Sequence, residues 1–210
     1  LMGGKLVIYK QGEGGSNMTN LITKLRSNFP NLVIHVLNGS DDADISTEIY
    51  DLGFIGTTKP PEDSIATLLT NIDMCIYGTK DYFDKNKNPN DFEWVAYKRN
   101  DKFDTDYIIK SFFQNPNIVI SSNSYQDAHS LVANGNGVTF LTDLDGDNDE
   151  RLICFNRDDY SFRIGFYLVQ HELSRSNPIV AAVKKVILEN TKDALQNTNF
   201  VSSNIKKKKQ

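Results

Sequence analysis

The chain has 210 residues, enough for one large domain or two small lobes. Hydrophobic residues make up 39% and charged residues 24%, the balance of an ordinary soluble globular protein, and the net charge of −4 argues against a surface dominated by nucleic-acid contacts. No apolar run approaches the roughly 20 residues of a membrane-spanning helix.

Leu1-Met-Gly-Gly4 is too short for a signal peptide and carries no basic start, and a strand begins almost at once. It reads as the start of a fragment cut just before a domain. Cys75 and Cys154 stand far apart in apolar runs without metal-site spacing, so they read as buried free thiols of a reducing cytoplasm.

In chain order, Lys5-Leu-Val-Ile-Tyr9 reads as a strand that enters a glycine-rich turn, Gly12-Glu-Gly-Gly15. A helix follows to Asn28, with Met18, Leu21, Ile22, Leu25 and Phe29 at spacings of three and four and Ser16 or Asn17 as N-cap. Leu32–Leu37 is a second strand, completing a βαβ unit. An acidic stretch from Asp41 precedes a third strand, Leu52–Gly56. Ile65–Leu69 and Met74–Tyr77 read as further strands, parted by a turn at Asn71-Ile-Asp73. Asp81–Arg99 is polar and aromatic, with no element assigned. Ile118–Ile120 is a strand leading into Ser121-Ser-Asn-Ser124 and a helix over Tyr125–Asn134, ended by Gly135-Asn-Gly137. Val138–Leu141, Leu152–Phe155 and Ile164–Val169 are strands, and Pro178–Leu195 is the last helix. Alternating strands and helices in two sets predict α/β layers with mainly parallel sheets.

Few motifs carry chemistry. Gly12-Glu-Gly-Gly15 is neither a dinucleotide fingerprint nor a P-loop; it is a tight turn or a ligand-facing one, with free amides at a helix N-terminus behind it. Asp143-Leu-Asp-Gly-Asp-Asn-Asp-Glu150 fails as a calcium loop, because glycine falls at the fourth position and Cys154 at the twelfth, and reads as a solvated acidic loop. His35 reads as packed within an apolar strand. His129 follows the serine cluster on a helix, and His171 ends a strand. The cluster Ser121–Ser124 either caps its helix or binds a carboxylate across a cleft. Lys59 is either a loop lysine or a charge on a third wall, Gly56-Thr-Thr-Lys59. No nucleophile is paired with a base, and no metal or cofactor is predicted. The lysine run after Ile205 reads as a disordered basic tail.

The ordered set of segments resembles the effector-binding (regulatory) domain of LysR-type transcriptional regulators. Gly4–Ile8 looks like the family's first strand. Leu21 to Val36, with Phe29-Pro30 at its turn, looks like the family's helix, turn and second strand. Tyr50-Asp-Leu-Gly-Phe-Ile55 is similar to its "lDlgi" strand, and Tyr77-Gly-Thr-Lys-Asp-Tyr-Phe83 to its "SPaYL" crossover. Leu131-Val-Ala-Asn-Gly-Asn-Gly-Val-Thr-Phe-Leu141 is close to "V-x-x-G-x-G-[IV]-x-x-L", and Ser174-Arg-Ser-Asn-Pro178 fits before the last helix. One departure is a helix cut short to about Asp41–Tyr50.

The resemblance implies two Rossmann-like lobes joined by two crossover strands, as in type II periplasmic binding proteins. Residues 1–76 with 164–200 form lobe I, 77–163 form lobe II, and 201–210 are tail. It implies a small-molecule effector, such as a carboxylate or other anion, in the cleft, self-association to dimers or tetramers, and a cytoplasmic location with no membrane contact. Promoter DNA would be met only through an N-terminal winged helix-turn-helix, which does not precede Lys5 here. Carried over by position, the ligand contacts are Gly15, Ser16 and Asn17, then Gly56, Thr57 and Thr58, then Ser122 and Asn123. The expected role is sensing, not catalysis. A free-standing solute-binding protein of a transporter is the alternative, and an enzyme on the same scaffold would need an acid–base set that the sequence does not offer.

Overall fold

Two hydrophobic cores share one pair of long strands. The computed structural model of the protein describes residues 3–11, 15–39, 49–60, 64–100 and 103–191. The first core begins with β1 (Gly4–Gln11), α1 (Gly15–Asn28), β2 (Leu32–Gly39) and β3 (Leu52–Thr57). β1 pairs in parallel with β2 and β3. The apolar stripe of α1 does what its spacing predicts: Leu21 and Leu25 are buried, and Met18, Ile22 and Phe29 pack beside them on Leu6, Ile8, Leu32, Leu52 and Phe54. The Arg26 guanidinium donates to the carbonyl oxygens of Pro30 (3.3 Å) and Leu32 (2.9 Å), satisfying acceptors at the turn out of the helix.

β4 (Ile65–Thr79) and β10 (Ser161–Gln170) are the long pair, and they run antiparallel. The turn expected at residues 71–73 is instead the middle of β4. Its polar residues are the outward set of a period-two alternation: Asn71 is exposed, Ile72 and Met74 are buried, and Asp73 pairs across the ladder with Arg163 (Nε–Oδ1 2.7 Å). The register slips once. Phe166 lies opposite Thr70 but Tyr167 opposite Leu68, so Leu69 is the extra residue of a bulge.

The large sheet runs β2-β1-β3-β10-β4-β8, with β8 (Thr139–Thr142) and β9 (Leu152–Phe155) both antiparallel to the distal half of β4. It is therefore mixed, not mainly parallel, because the crossover strands oppose their neighbours. A helix over residues 178–191, α6, returns to the first core through Val180, Val183 and Ile187.

The polar, aromatic stretch left without assignment builds much of the second lobe. α2 (Lys80–Lys85), β5 (Glu93–Asn100), β6 (Phe103–Asp104), α3 (Thr105–Phe112), β7 (Asn117–Ser122) and α4 (Tyr125–Ala133) follow β4. β5 pairs in parallel with β7, and Trp94 bridges in parallel to Val138, just before β8. Trp94 stacks on Phe140 (5.5 Å), while Phe92 meets Phe155 edge-on (4.9 Å). Buried hydroxyls tie these strands together: Thr105 Oγ1 accepts from Tyr97 N (2.6 Å) and donates to Tyr97 O (2.7 Å), and Thr139 Oγ1 donates to Val95 O (2.6 Å).

Other expectations change. The acidic segment after β8 is helical, as α5 (Asp143–Asp147). His35 is exposed, because β2 is the sheet edge and its outer residues face solvent. Cys75 is buried as expected, but Cys154 is only half-buried. The glycine turn at 12–14, the shortened helix over 41–48, the end of the last helix and the lysine tail lie outside the described residues.

Gly137 shows why glycine ends the α4 turn. Its φ is +107°, and a Cβ there would lie 2.2 Å from the Glu93 carbonyl oxygen, to which Val138 N donates (2.9 Å). Gly135, at φ +85°, faces open space. Gly137→Ala is expected to destabilise the protein by roughly 2–3 kcal/mol or more, and Gly135→Ala by about 1 kcal/mol. Urea unfolding midpoints read the difference; equal effects would refute the steric account.

Candidate functional site

Strand direction places the site. β3 opposes β10 and β10 opposes β4, so β1, β3 and β4 run the same way. β4 starts in the first lobe and ends in the second, so the carboxyl ends of β1 and β3 point toward the second lobe. There β8 opposes β4, while β5 and β7 run with the segment entering β8. The carboxyl ends of β5, β7 and β8 therefore point back toward the first lobe. Helices α1, α4 and α5 begin where β1, β7 and β8 end, so helix N-termini gather at these two edges.

The residues singled out in the sequence fall on these edges. Gly15, Ser16 and Asn17 form the first turn of α1, and their side chains lie outside the described part of the structure. Gly56 and Thr57 end β3, opposite Phe166 and Gly165 of β10, and exposed Thr58 follows. The Thr57 hydroxyl accepts from Lys59 N (3.2 Å) and donates to Lys59 O (3.0 Å), holding the turn. Ser122 ends β7 and Asn123 follows it. The serine cluster does cap its helix: Ser124 Oγ accepts from Asp127 N (3.1 Å), and Ser122 Oγ accepts from Ser124 N (3.0 Å).

Sequence reasoning missed the polar knot at the end of β8. Thr142 caps α5, accepting from Asp145 N (3.1 Å). The Asp145 carboxylate then accepts from Thr142 Oγ1 (2.8 Å) and the Tyr125 hydroxyl (2.6 Å). Burial first, then the Asp145 charge, push the Tyr125 hydroxyl well above its ordinary pKa, so it stays a neutral donor. Thr142-Asp-Leu-Asp145 is a capping-box pattern, the one signal that marks this helix start in the sequence.

Of the histidines, His129 packs from α4 onto Asp149 (Nε2–Oδ2 3.0 Å), and Arg151 meets the same oxygen (2.6 Å). His171 accepts from Leu173 N (3.1 Å) and stands edge-on to Tyr50. Among the described residues no three metal-ligating side chains gather, and no helix is long and apolar enough to cross a membrane. A groove of about 410 Å³ lined by Gln170, Arg175, Lys184 and Leu188 lies at the far end of the first lobe, where β10 finishes.

Residues 14–192 match the family model described as the LysR substrate binding domain. No curated protein sequence matches. Among solved structures, the regulatory domain of AphB in Vibrio vulnificus is similar, with a TM-score of 0.63 and 14% identity over 89% of this chain and 98% of that one. The regulatory domain of CrgA, a LysR-type transcriptional regulator from Neisseria meningitidis, gives 0.68 at 14% identity over 90% and 100%. The effector binding domain of QuiR in complex with shikimate gives 0.73 at 14% identity over 91% and 99%.

The Asp149 contacts join α4 to the segment before β9. Hydrogen bonds from Arg151 chiefly, with burial opposing and His129 adding, hold the Asp149 carboxyl well below the usual carboxylate range. A carboxylate depressed in the folded state stabilises the fold above its unfolded pKa and loses that contribution as pH falls below it. Asp149→Asn is expected to cost about 1 kcal/mol at pH 7, and the gap should narrow progressively as pH falls below about 4. Urea unfolding at neutral and acid pH measures it; a gap that widens in acid would contradict the assignment.

Proposed function

The chain belongs to the LysR substrate binding domain family, the ligand-sensing regulatory domains of LysR-type transcriptional regulators, and on that premise we propose that it binds a small polar or anionic effector between its lobes. In this reading lobe I comprises residues 1–76 and 164–200, and lobe II residues 77–163. The observation that carries it is the convergence of carboxyl strand ends and helix N-termini from both lobes. The shikimate complex of the QuiR domain supports the ligand-binding part of the reading.

Gly15, Ser16 and Asn17 supply amides and a hydroxyl at the positive end of α1. Gly56, Thr57 and Thr58 form a second wall, and Ser122 and Asn123 a third from the other lobe. A charge-assisted hydrogen bond at such a site contributes roughly 1.5–3 kcal/mol. The effector favours the lobe angle that lets both walls reach it, and that bias alters how domains pair in a dimer or tetramer. DNA is met through a winged helix-turn-helix joined to the N-terminal side. The domain works in the cytoplasm and turns nothing over.

The test starts from a thermal-shift screen of small hydroxycarboxylates, with shikimate as the first probe, followed by titration calorimetry. Ser16→Trp fills the site and is expected to weaken the hit at least tenfold, about 1.4 kcal/mol, with an unchanged circular dichroism spectrum. Unaltered affinity in that variant would remove the first wall from the site.

A further inference from the structure

We propose that Asn136 is a self-modifying site: the Gly137 nitrogen closes a ring on the Asn136 side chain, expels ammonia and leaves aspartate or isoaspartate in its place.

The loop after α4 repeats one dipeptide, Asn134-Gly135-Asn136-Gly137, and both asparagines are exposed. The dipeptide suits this reaction because glycine has no Cβ to shield its nitrogen from the preceding side chain. The backbone treats the two copies differently. Asn134 N donates to Ser130 O (3.2 Å) and Leu131 O (3.1 Å), Gly135 N to Val132 O (2.9 Å) and Asn136 N to Leu131 O (3.2 Å), which together close the carboxyl end of the helix. Val138 N then donates to Glu93 O (2.9 Å). Gly137 N, between them, has no acceptor among the described residues. The residue is buried, and a buried N–H without a partner is uncommon.

The side chains do not separate the two copies. Asn134 Nδ2 donates to Ser130 O (2.7 Å) and Asn136 Nδ2 to Leu131 O (3.0 Å), so both amides are held against the helix end. The difference is the nucleophile. The Gly135 nitrogen must leave the Val132 carbonyl before it can turn, whereas the Gly137 nitrogen has no bond to break. The remaining Asn-Gly pair, Asn38-Gly39, ends β2 in register with Lys10 and Gln11 of β1. Its extended backbone, and the Tyr9 ring packed where a Gly39 Cβ would stand, hold that nitrogen in the strand.

In the ring closure the Gly137 nitrogen loses its proton to solvent and attacks Asn136 Cγ. A C–N bond forms, the Cγ–Nδ2 bond breaks, and the amide nitrogen takes up a proton and leaves as ammonia. Water then opens the succinimide ring. Attack at the side-chain carbonyl gives aspartate; attack at the main-chain carbonyl gives isoaspartate, in which the chain runs through the former side chain. Nothing is oxidised or reduced. Isoaspartate inserts a further main-chain atom just before Gly137, which is packed against the Glu93 carbonyl. The bonds from Val138 N to Glu93 O and from Val95 N to Val138 O join the entry of β8 to β5, and these are the ones it strains. Either product also adds a negative charge at the carboxyl end of α4, the wrong sign for the helix dipole.

Ageing the purified protein in mildly alkaline heavy-oxygen water, followed by peptide mass mapping, tests this. Asn136 is expected to gain the mass of an acid bearing heavy oxygen, with isoaspartate in excess. Asn134 and Asn38 should react slower by roughly tenfold, because a hydrogen bond must open first. In urea the rates are expected to converge. Asn136→Gln should abolish the product at that position and leave Asn134 and Asn38 as slow as before. Asn134 or Asn38 reacting as fast as Asn136 in the folded protein would overturn the proposal, as would an intact Asn136 after the unfolded chain has reacted there. A gap that persists in urea would make sequence, not the fold, its cause and would overturn it too. The isoaspartate form, separated by chromatography, is expected to unfold at lower urea than Asn136→Asp, which carries the charge without the extra main-chain atom. Equal midpoints would refute the strain at Glu93.

Discussion

The antiparallel pairing of β4 with β10 is the constraint on which the rest of the molecule depends. It extends from Ile65–Gln170 at one end to Cys75–Ser161 at the other. Leu168 belongs to the first core and Ile72, Met74 and Ile164 to the second, while Phe166 packs against both. The sense of this one pairing fixes the direction of every strand attached to it. Reversing it would turn one carboxyl edge outward and separate the helix N-termini that now converge. A ladder buried in two cores is also a stiff joint, so motion between lobes must bend the pair as a unit.

Each lobe solves burial in its own way. The first relies on aliphatic side chains from two helices, α1 and α6, against the parallel strands β1, β2 and β3 and the antiparallel β10. The second interlocks aromatic rings, with Phe83, Phe92, Trp94, Phe113, Phe140 and Phe155 in mutual contact. Such a core leaves backbone groups near the rings needing partners, and Thr105 and Thr139 provide them from within. These hydroxyls favour one arrangement of β5 among alternatives that would bury equal apolar area.

The sequence revealed most where one periodicity dominated. The α1 stripe, the strand before it and the helix after β7 stand where spacing put them. β4 was cut in two because Asn71 and Asp73 look like turn residues when read locally; their pairing with β10, ninety or so positions away, is what keeps them extended. α5 was hidden because its acidic residues suggested solvation, although Asp145 and Asp147 are held by Tyr125 and Arg157. His35 was misplaced because an apolar strand does not announce that it lies at a sheet edge. The candidate walls at Thr57 and Ser122 were readable from the loops after strands. Their placement on facing edges was not, since it follows from strand sense and the crossover.

Leu69, the residue without a partner at the β4 bulge, has a consequence for parity. A strand sorts its side chains into odd and even sets, and one unmatched residue exchanges the sets for everything downstream. Were Leu69 instead taken into a regular ladder, β4 beyond it would run out of phase with β10: Asp73 would turn toward the interior and Ile72 toward water. The counting of one residue thus determines that both halves of the molecule, although built around separate interiors, agree about which way is in.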